Sequence, residues 1–366
     1  MGVTRQIKVG ILTAPHIEFE QKENTFVLKN VRIGIGFHWD RHEDQEFAGS
    51  LEIRDNADGT QTAINTIDLE DYLCSVISSE MNANSPMELL KAHAVISRSW
   101  AIRAMQKPNH EGYDVCADDH CQRYEGLRRM NERAVEAVRA TAGQVLINEK
   151  IGKCENEKIE ICDCRYYKCC GGRTEIWRTC WEDIDVPYIQ SVKCDYCDLT
   201  SHSKAVSRLT SILNDYDQET KDFRDWKVTY TAEELSEIVR TKSGIDFGEI
   251  IDLIPLHRGA SGRIDSLKIV GTKHTEIIGK ELKIRLWLSK SCLYSSWFEV
   301  KKTTIKPSNL QTSAERQTFT LSGHGWGHGA GLCQIGAAVM ASEGHPYEEI
   351  LSFYYHGAKL SQMTKW

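Results

Sequence analysis

Three places in this 366-residue chain combine residue types at spacings that could do chemistry: a lone carboxylate, a Cys/His segment and a glycine-rich segment. Glu80 closes the stretch DLEDYLCSVISSEM (68–81), where Leu69, Tyr72, Leu73, Val76 and Ile77 recur at helical spacing. It falls three and four places beyond Ile77 and Val76, at the end of that apolar stripe. It also sits in the last helical turn, where the helix dipole disfavours negative charge. Both effects push a carboxyl pKa upward, toward the protonated form that a general acid needs. The bland alternative is a surface glutamate at a frayed helix end.

The segment HEGYDVCADDHC (110–121) offers His110, Cys116, His120 and Cys121 within 12 residues. Two imidazoles and two thiolates suit tetrahedral zinc, and a site filled by all four would be structural. The spacing is not that of a zinc finger, so the segment also reads as a loop whose cysteines pair elsewhere. The segment GHGWGHGAGLCQIGA (323–337) has glycine at alternate positions from 323 to 331. Glycine permits close backbone approach to a ligand. Trp326 and His328 between the glycines suit a sugar or another flat polar substrate, and a tight structural turn is the other reading. No GKS or GKT follows, which argues against a phosphate loop. Of 13 cysteines, eight lie between Cys154 and Cys197. An odd number cannot all be bridged. Such clusters mean metal or redox chemistry in a reducing compartment and disulfides in an exported protein.

The elements that must position these groups follow from periodicity and caps. IKVGIL, TFVLK, VRIGIGF and SLEIR, separated by turn residues, predict antiparallel strands over residues 5–60. Asp68 is the expected N-cap of the helix carrying Glu80. A second helix is expected to run to about Met105, with Ser85 as cap, Pro86 in its first position and Glu88 completing a capping box. On it, Lys91 and Arg98 are seven apart and share a face. They could bind sugar oxygens or pair with a structural carboxylate. Asn131–Ala142, ended by Gly143, predicts a third helix. Residues 143–200 read as strands and turns carrying the cysteines, and 201–225 as a linker. Thr231 and Glu234 start a helix over 231–243. DSLKIVG, TEIIGKELKIRLWL and SWFEVKK predict strands, 305–317 a loop, and the end two short helices. The class is α+β, a mixed helical and antiparallel-sheet core with β-rich accessory modules.

Composition narrows the function. The chain is 41% hydrophobic and 27% charged with net charge −7, an ordinary globular balance that gives no footing for sequence-blind nucleic-acid binding. No apolar run is long enough to span a membrane. MGVTRQIKVGILTA has no basic stretch followed by an apolar one, so either the protein stays inside or the chain begins after a removed leader.

Two separated motifs resemble one family. DLEDYLCSVISSEMNANSPMELLKAHAVISRSWAI (68–102) is similar to the signature helix pair of the SpoIID/LytB family, bacterial cell-wall proteins. GHGWGHGAGLCQIGAAVMASEGHPYEEILSFYYHGAKL (323–360) resembles its C-terminal signature, with CQRYEG, TAGQVL, GGRTEIW and PYIQSV between them in family order. The resemblance implies a peptidoglycan lytic transglycosylase that leaves 1,6-anhydro ends, with Glu80 as the catalytic acid and base. It implies substrate contacts from Gln122, Gly171, Gly172, Glu175 and Gln334, alongside Lys91, Arg98, Trp326 and His328. It also implies zinc, structural if held by His110, Cys116, His120 and Cys121. The alternative is a glycan-binding protein that stimulates a cell-wall amidase. Either places the chain in the cell envelope, with glycan strands and possibly an amidase as partners. The expected organisation is a β region over 1–60, a catalytic core of 61–200 and 315–366, and an accessory module of 201–314. Two departures from the pattern are Lys168, Cys169 and Cys170 before the Gly-Gly pair, and His93 where Gln is usual.

Overall fold

The structure, a computed structural model, describes residues 5–35, 40–118, 120–150, 158–198, 224–305 and 316–363. It is α+β, with eight helices among the described residues and several antiparallel sheets. Strand Gln6–Ala14 alternates so that Ile7 and Val9 point into the core. It pairs antiparallel with Gln61–Asp68, which pairs in turn with Ser50–Asp55. Val115–Cys116 adds in parallel at its other edge. A second sheet joins Phe19–Gln21, Thr25–Ile33 and Arg41–Ala48. TFVLK and VRI are one strand there, with a register shift between Leu28 and Val31 around Asn30, whose φ is 54°. Asn tolerates that left-handed conformation better than most residues. These strands share one core with the helices that follow.

The first helix, α1 (Leu69–Glu80), grows out of Gln61–Asp68, and the Asp68 carboxylate accepts the Glu70 N–H at 2.9 Å. The second, α2 (Met87–Gln106), runs through the core, with Ala92, Ala94, Val95, Ile96, Ala101 and Ile102 all buried. The capping box expected at its start does not form, and the helix begins one residue later, behind Pro86. Tertiary partners take the Glu88 carboxylate instead: it accepts from Lys91 Nζ at 2.7 Å and from the Tyr347 N–H at 2.9 Å. The third helix, α3 (Glu132–Ala140), is capped by Asn131 and packs on both others.

A second core gathers Trp226, Leu235, Phe247, Leu253, Leu267, Phe298, Phe319 and Leu321. Its helix Ala232–Ser243 carries the predicted Thr231/Glu234 capping box and ends at Gly244, φ 73°. TEIIGKELKIRLWL, expected as a strand, splits into strand Thr275–Ile278 and helix Glu281–Trp287. Glu281, Ile284, Arg285 and Leu288 are the buried positions, a helical period that outweighs the β-branched content. Strand Arg316–His324 lies between Asp225–Thr231 and Phe298–Ile305. Residues from 316 to 321 thus belong with the second core rather than with the segment 315–366. The chain crosses between the cores inside the glycine-rich segment. The expected linker and loop fall largely on 201–223 and 306–315, outside the described residues. No described helix is long and apolar enough to cross a membrane.

Candidate functional site

Helix α1 ends on Glu80, and the Met81 N–H closes the turn on the Ile77 carbonyl at 2.9 Å. The apolar stripe faces inward, with Val76 and Ile77 buried. The half-buried Glu80 carboxyl meets hydrogen-bond donors rather than an apolar wall. Its Oε1 accepts the Arg123 backbone N–H at 3.1 Å and the Tyr166 hydroxyl at 3.0 Å. Tyr166 lies on the strand Tyr166–Tyr167, which pairs in parallel with Leu332–Cys333 at the end of the glycine-rich segment. One tyrosine therefore couples the two motifs that are farthest apart in sequence. Burial and the neighbouring Glu80 charge hold its phenol well above the usual pKa, so it remains a donor.

A polar layer backs this pair. The His93 ring meets Tyr166 edge-on, centroids 4.3 Å apart. Its Nδ1 is 3.1 Å from Ser97 Oγ and its Nε2 3.2 Å from the Gln334 amide nitrogen. Gln122 accepts from the Tyr72 hydroxyl at 3.2 Å and donates to the Ser97 carbonyl at 3.4 Å. His328 receives the Ala330 N–H on Nδ1 at 3.1 Å, so its Nε2–H donates to the Tyr166 carbonyl at 3.0 Å. Replacing Tyr166 by Phe is expected to keep the packing on His93 and remove one donor to Glu80. A hydrogen bond to a charged group is worth about 1.5–3 kcal/mol, so any cleavage that depends on Glu80 should fall by roughly 10- to 100-fold. Unchanged turnover with unchanged melting would show that Tyr166 does not position Glu80.

Burial pushes the His93 imidazole from its ordinary 6.5 down to about 3. The unfolded chain therefore binds more protons than the folded one between those two values, and stability rises with pH there. The contribution is full above about pH 6.5 and is lost toward about pH 3, at roughly 1.4 kcal/mol per pH unit. Urea midpoints measured across this window should fall as pH drops, and His93→Gln should flatten the fall. Equal slopes in the two proteins would contradict a buried neutral His93.

The remaining residues expected at the site have other partners. Arg98 is fully buried, and its Nε and Nη2 each meet a Glu70 carboxylate oxygen at 2.7 Å. It also donates to the Gln144 and Val138 carbonyls at 3.1 and 3.3 Å. The structural pairing is thus the one formed. Lys91 pairs with Glu88 and lies over the Tyr347 ring. Glu175 is buried and accepts the Ala260 and Ser261 N–H groups at 3.0 and 2.9 Å, anchoring a turn of the second core. Trp326 is buried against Tyr294, and its backbone bridges Cys169. Gly171 packs on Gly325, whereas Gly172, φ 119°, has open space where a side chain would lie. The alternating glycines admit protein, not ligand: a Cβ on Gly329 would lie 2.5 Å from the Arg263 guanidinium carbon, and one on Gly331 would lie 2.0 Å from the Arg165 carbonyl oxygen.

His110, Cys116, His120 and Cys121 converge, with one ligand atom from each lying within 4.8 Å of the others. His110 Nε2 is 3.2 Å and His120 Nδ1 3.5 Å from Cys121 Sγ. The Cys121 thiol and His120 beside it draw the Cys116 thiol pKa down to about 4. The donor set therefore fits a metal ion. Cys116 is fixed by strand pairing to Gly10, and Cys121 stands two residues before Arg123, whose N–H holds Glu80. A groove of about 680 Å³ borders this cluster, lined among others by Gly10, His42, Tyr113 and His120. Sequence reasoning missed Tyr166 and Arg123, because only sheet pairing and a loop contact bring them to Glu80.

The structure thus joins the half-buried Glu80 carboxyl through Tyr166 to the strand Leu332–Cys333 at the end of the glycine-rich segment. The family model described as Stage II sporulation protein matches residues 57–148, and a domain of unknown function, DUF8618, matches 175–331. The chain is 28% identical over 316 residues to an uncharacterised protein of Brachyspira hyodysenteriae, covering 86% of this chain and 72% of that one. It is 26% identical over 317 residues to Stage II sporulation protein D of Bacillus subtilis, covering 82% and 76%. It is 27% identical over 316 residues to the Amidase enhancer of Bacillus subtilis, covering 79% of this chain and 40% of the relative. Residues 57–148 thus match the Stage II sporulation protein model, and the chain is similar along most of its length to proteins named Stage II sporulation protein D and Amidase enhancer.

Proposed function

We propose that this chain acts on the bacterial cell wall as a peptidoglycan lytic transglycosylase, with Glu80 as its single acid–base group. The observation that carries this reading is the anchoring of Glu80 Oε1 by Tyr166 and Arg123, where the family's two motifs meet. The carboxyl first protonates the glycosidic oxygen between N-acetylmuramic acid and N-acetylglucosamine. As that C1–O bond breaks, the muramic 6-hydroxyl attacks C1 and its proton returns to the carboxylate. One carboxyl then does work that glycosidases commonly divide between two. Gln122, His93, Gln334 and His328 hold the wall that fixes Tyr166. Gly172, with open space beside it, is the part of the Gly-Gly pair best placed to face a sugar.

His110, Cys116, His120 and Cys121 would hold zinc in a structural role, tying the 110–121 loop to strand Gln6–Ala14 and so fixing the Arg123 N–H. With all four bound no coordination position stays open. A His110→Ala/Cys116→Ser variant is expected to lose this ion and melt several degrees lower, because binding energy to a folded site is folding energy. While folded it should still cut. Loss of the ion with no change in melting would remove the structural role.

The relative named Amidase enhancer supports a second reading, in which the chain binds glycan and stimulates an amidase. Both readings place it at the cell envelope. Peptide-free glycan strands separate them. Release of soluble fragments by the purified chain alone supports cleavage, whereas binding without release, and faster turnover of an added amidase on intact wall, supports the second.

A further inference from the structure

We propose that Cys170, Cys194, Cys197 and Cys333 form a second metal site, a tetrathiolate zinc centre that clamps the glycine-rich segment to the strand carrying Tyr166. The four sulfurs lie within 4.8 Å of one another and all four residues are buried. The pair Cys170–Cys197 is 3.1 Å apart. Zinc–sulfur bonds near 2.3 Å place tetrahedral sulfurs about 3.8 Å apart, so small side-chain shifts close this set around one ion. All twelve described cysteines are free thiols, these four included.

Hydrogen-bond donors converge on these sulfurs. Cys333 Sγ receives the Cys170 N–H at 3.2 Å and the Gly336 N–H at 3.4 Å. It caps the helix Gln334–Ser342, whose N-terminus favours negative charge. Cys170 Sγ receives the Gly172 N–H at 3.4 Å, and Cys194 Sγ is 3.3 Å from the Tyr354 hydroxyl. A neutral thiol is a weak acceptor, whereas a metal-bound thiolate calls for such donors. The guanidinium of Arg263 reaches the Cys170 carbonyl at 3.4 Å, so a cation stands beside the set. Gly336 has to be glycine here, since a Cβ would lie 2.9 Å from Cys194 Sγ and 2.3 Å from the Tyr354 oxygen.

Cys194 and Cys197 have C-x2-C spacing on the short turn Asp195–Cys197, a common half of a zinc site. The other two ligands come from the two chain segments that pair at Tyr166. Cys170 follows Tyr166–Tyr167, and Cys333 lies between Leu332, paired with Tyr166, and Gln334, bonded to His93. The ion would therefore cross-link both sides of the Tyr166 wall. Two disulfides could use the same four cysteines, but they would leave the converging N–H groups facing neutral sulfur.

The test uses the full wild-type chain, purified under reducing conditions without chelator. Elemental analysis should find about two zinc ions per chain, and zinc X-ray absorption an average of about three sulfurs and one nitrogen per ion, with Zn–S near 2.3 Å. Cys194→Ser/Cys197→Ser should leave about one zinc with two sulfur and two nitrogen ligands. His110→Ala/Cys121→Ser should leave about one zinc with sulfur ligands alone. Cys169→Ser, which changes a thiol that touches Cys197 and Cys333 without being one of the four, should keep both ions. About one zinc in the wild type with equal sulfur and nitrogen ligation would overturn the proposal. So would a Cys170–Cys197 disulfide in non-reducing peptide maps. The wild-type absorption result stands even if the Cys194/Cys197 variant does not fold.

Discussion

Glu80→Gln is expected to remove glycan cleavage by on the order of 10²-fold or more while the fold survives. Gln keeps the shape of the side chain, and its amide oxygen can still accept from Tyr166 and Arg123. What it lacks is an exchangeable acid proton and the basicity to take one from the muramic 6-hydroxyl. The loss should therefore appear in turnover rather than in binding, with glycan affinity and melting temperature near wild type. Residual cleavage within a few-fold of wild type would mean that another group carries the proton.

The largest stability effect is expected at Arg98. It is fully enclosed in α2, forks onto Glu70 and reaches carbonyls of two further elements. Arg98→Met fills much of the volume but strands Glu70 and leaves the Gln144 and Val138 carbonyls short of a donor. Breaking a buried pair costs about 3–5 kcal/mol. Because Glu70 is 31% exposed and water can take up part of its charge, about 2–4 kcal/mol is expected here. Chemical denaturation would show this as a lower midpoint at unchanged slope. A shift under about 1 kcal/mol would show that the pair is dispensable.

What was legible in the sequence was local. Asp68 and Thr231 cap helices because a short polar side chain satisfies the nearest orphan N–H, and each does so in the structure, while Asn131, expected as the first residue of the third helix, is its cap. The Cys/His cluster was visible because its four side chains lie within twelve residues. Strand Arg41–Ala48, RHEDQEFA, was not, since its charges carry no apolar alternation and only pairing with Thr25–Ile33 makes it a strand. The glycine alternation pointed to a ligand, but the atoms that demand glycine belong to Arg263 and Arg165, which are remote in sequence. Tyr166 escaped for the same reason: nothing near it in the chain refers to Glu80. Glu88 had the spacing of a capping box and was drawn off by Lys91 and Tyr347.

The measurement that bears most directly on a single-carboxylate, water-free cleavage is product mass in heavy-oxygen water. Peptide-free glycan strands are digested by the wild-type chain, and the new muramic ends are weighed. Internal attack by the 6-hydroxyl predicts anhydro ends, one water lighter than reducing ends and without solvent oxygen, and no such ends from Glu80→Gln. Reducing ends carrying heavy oxygen would show hydrolysis, and with it that Glu80 does not work by this route.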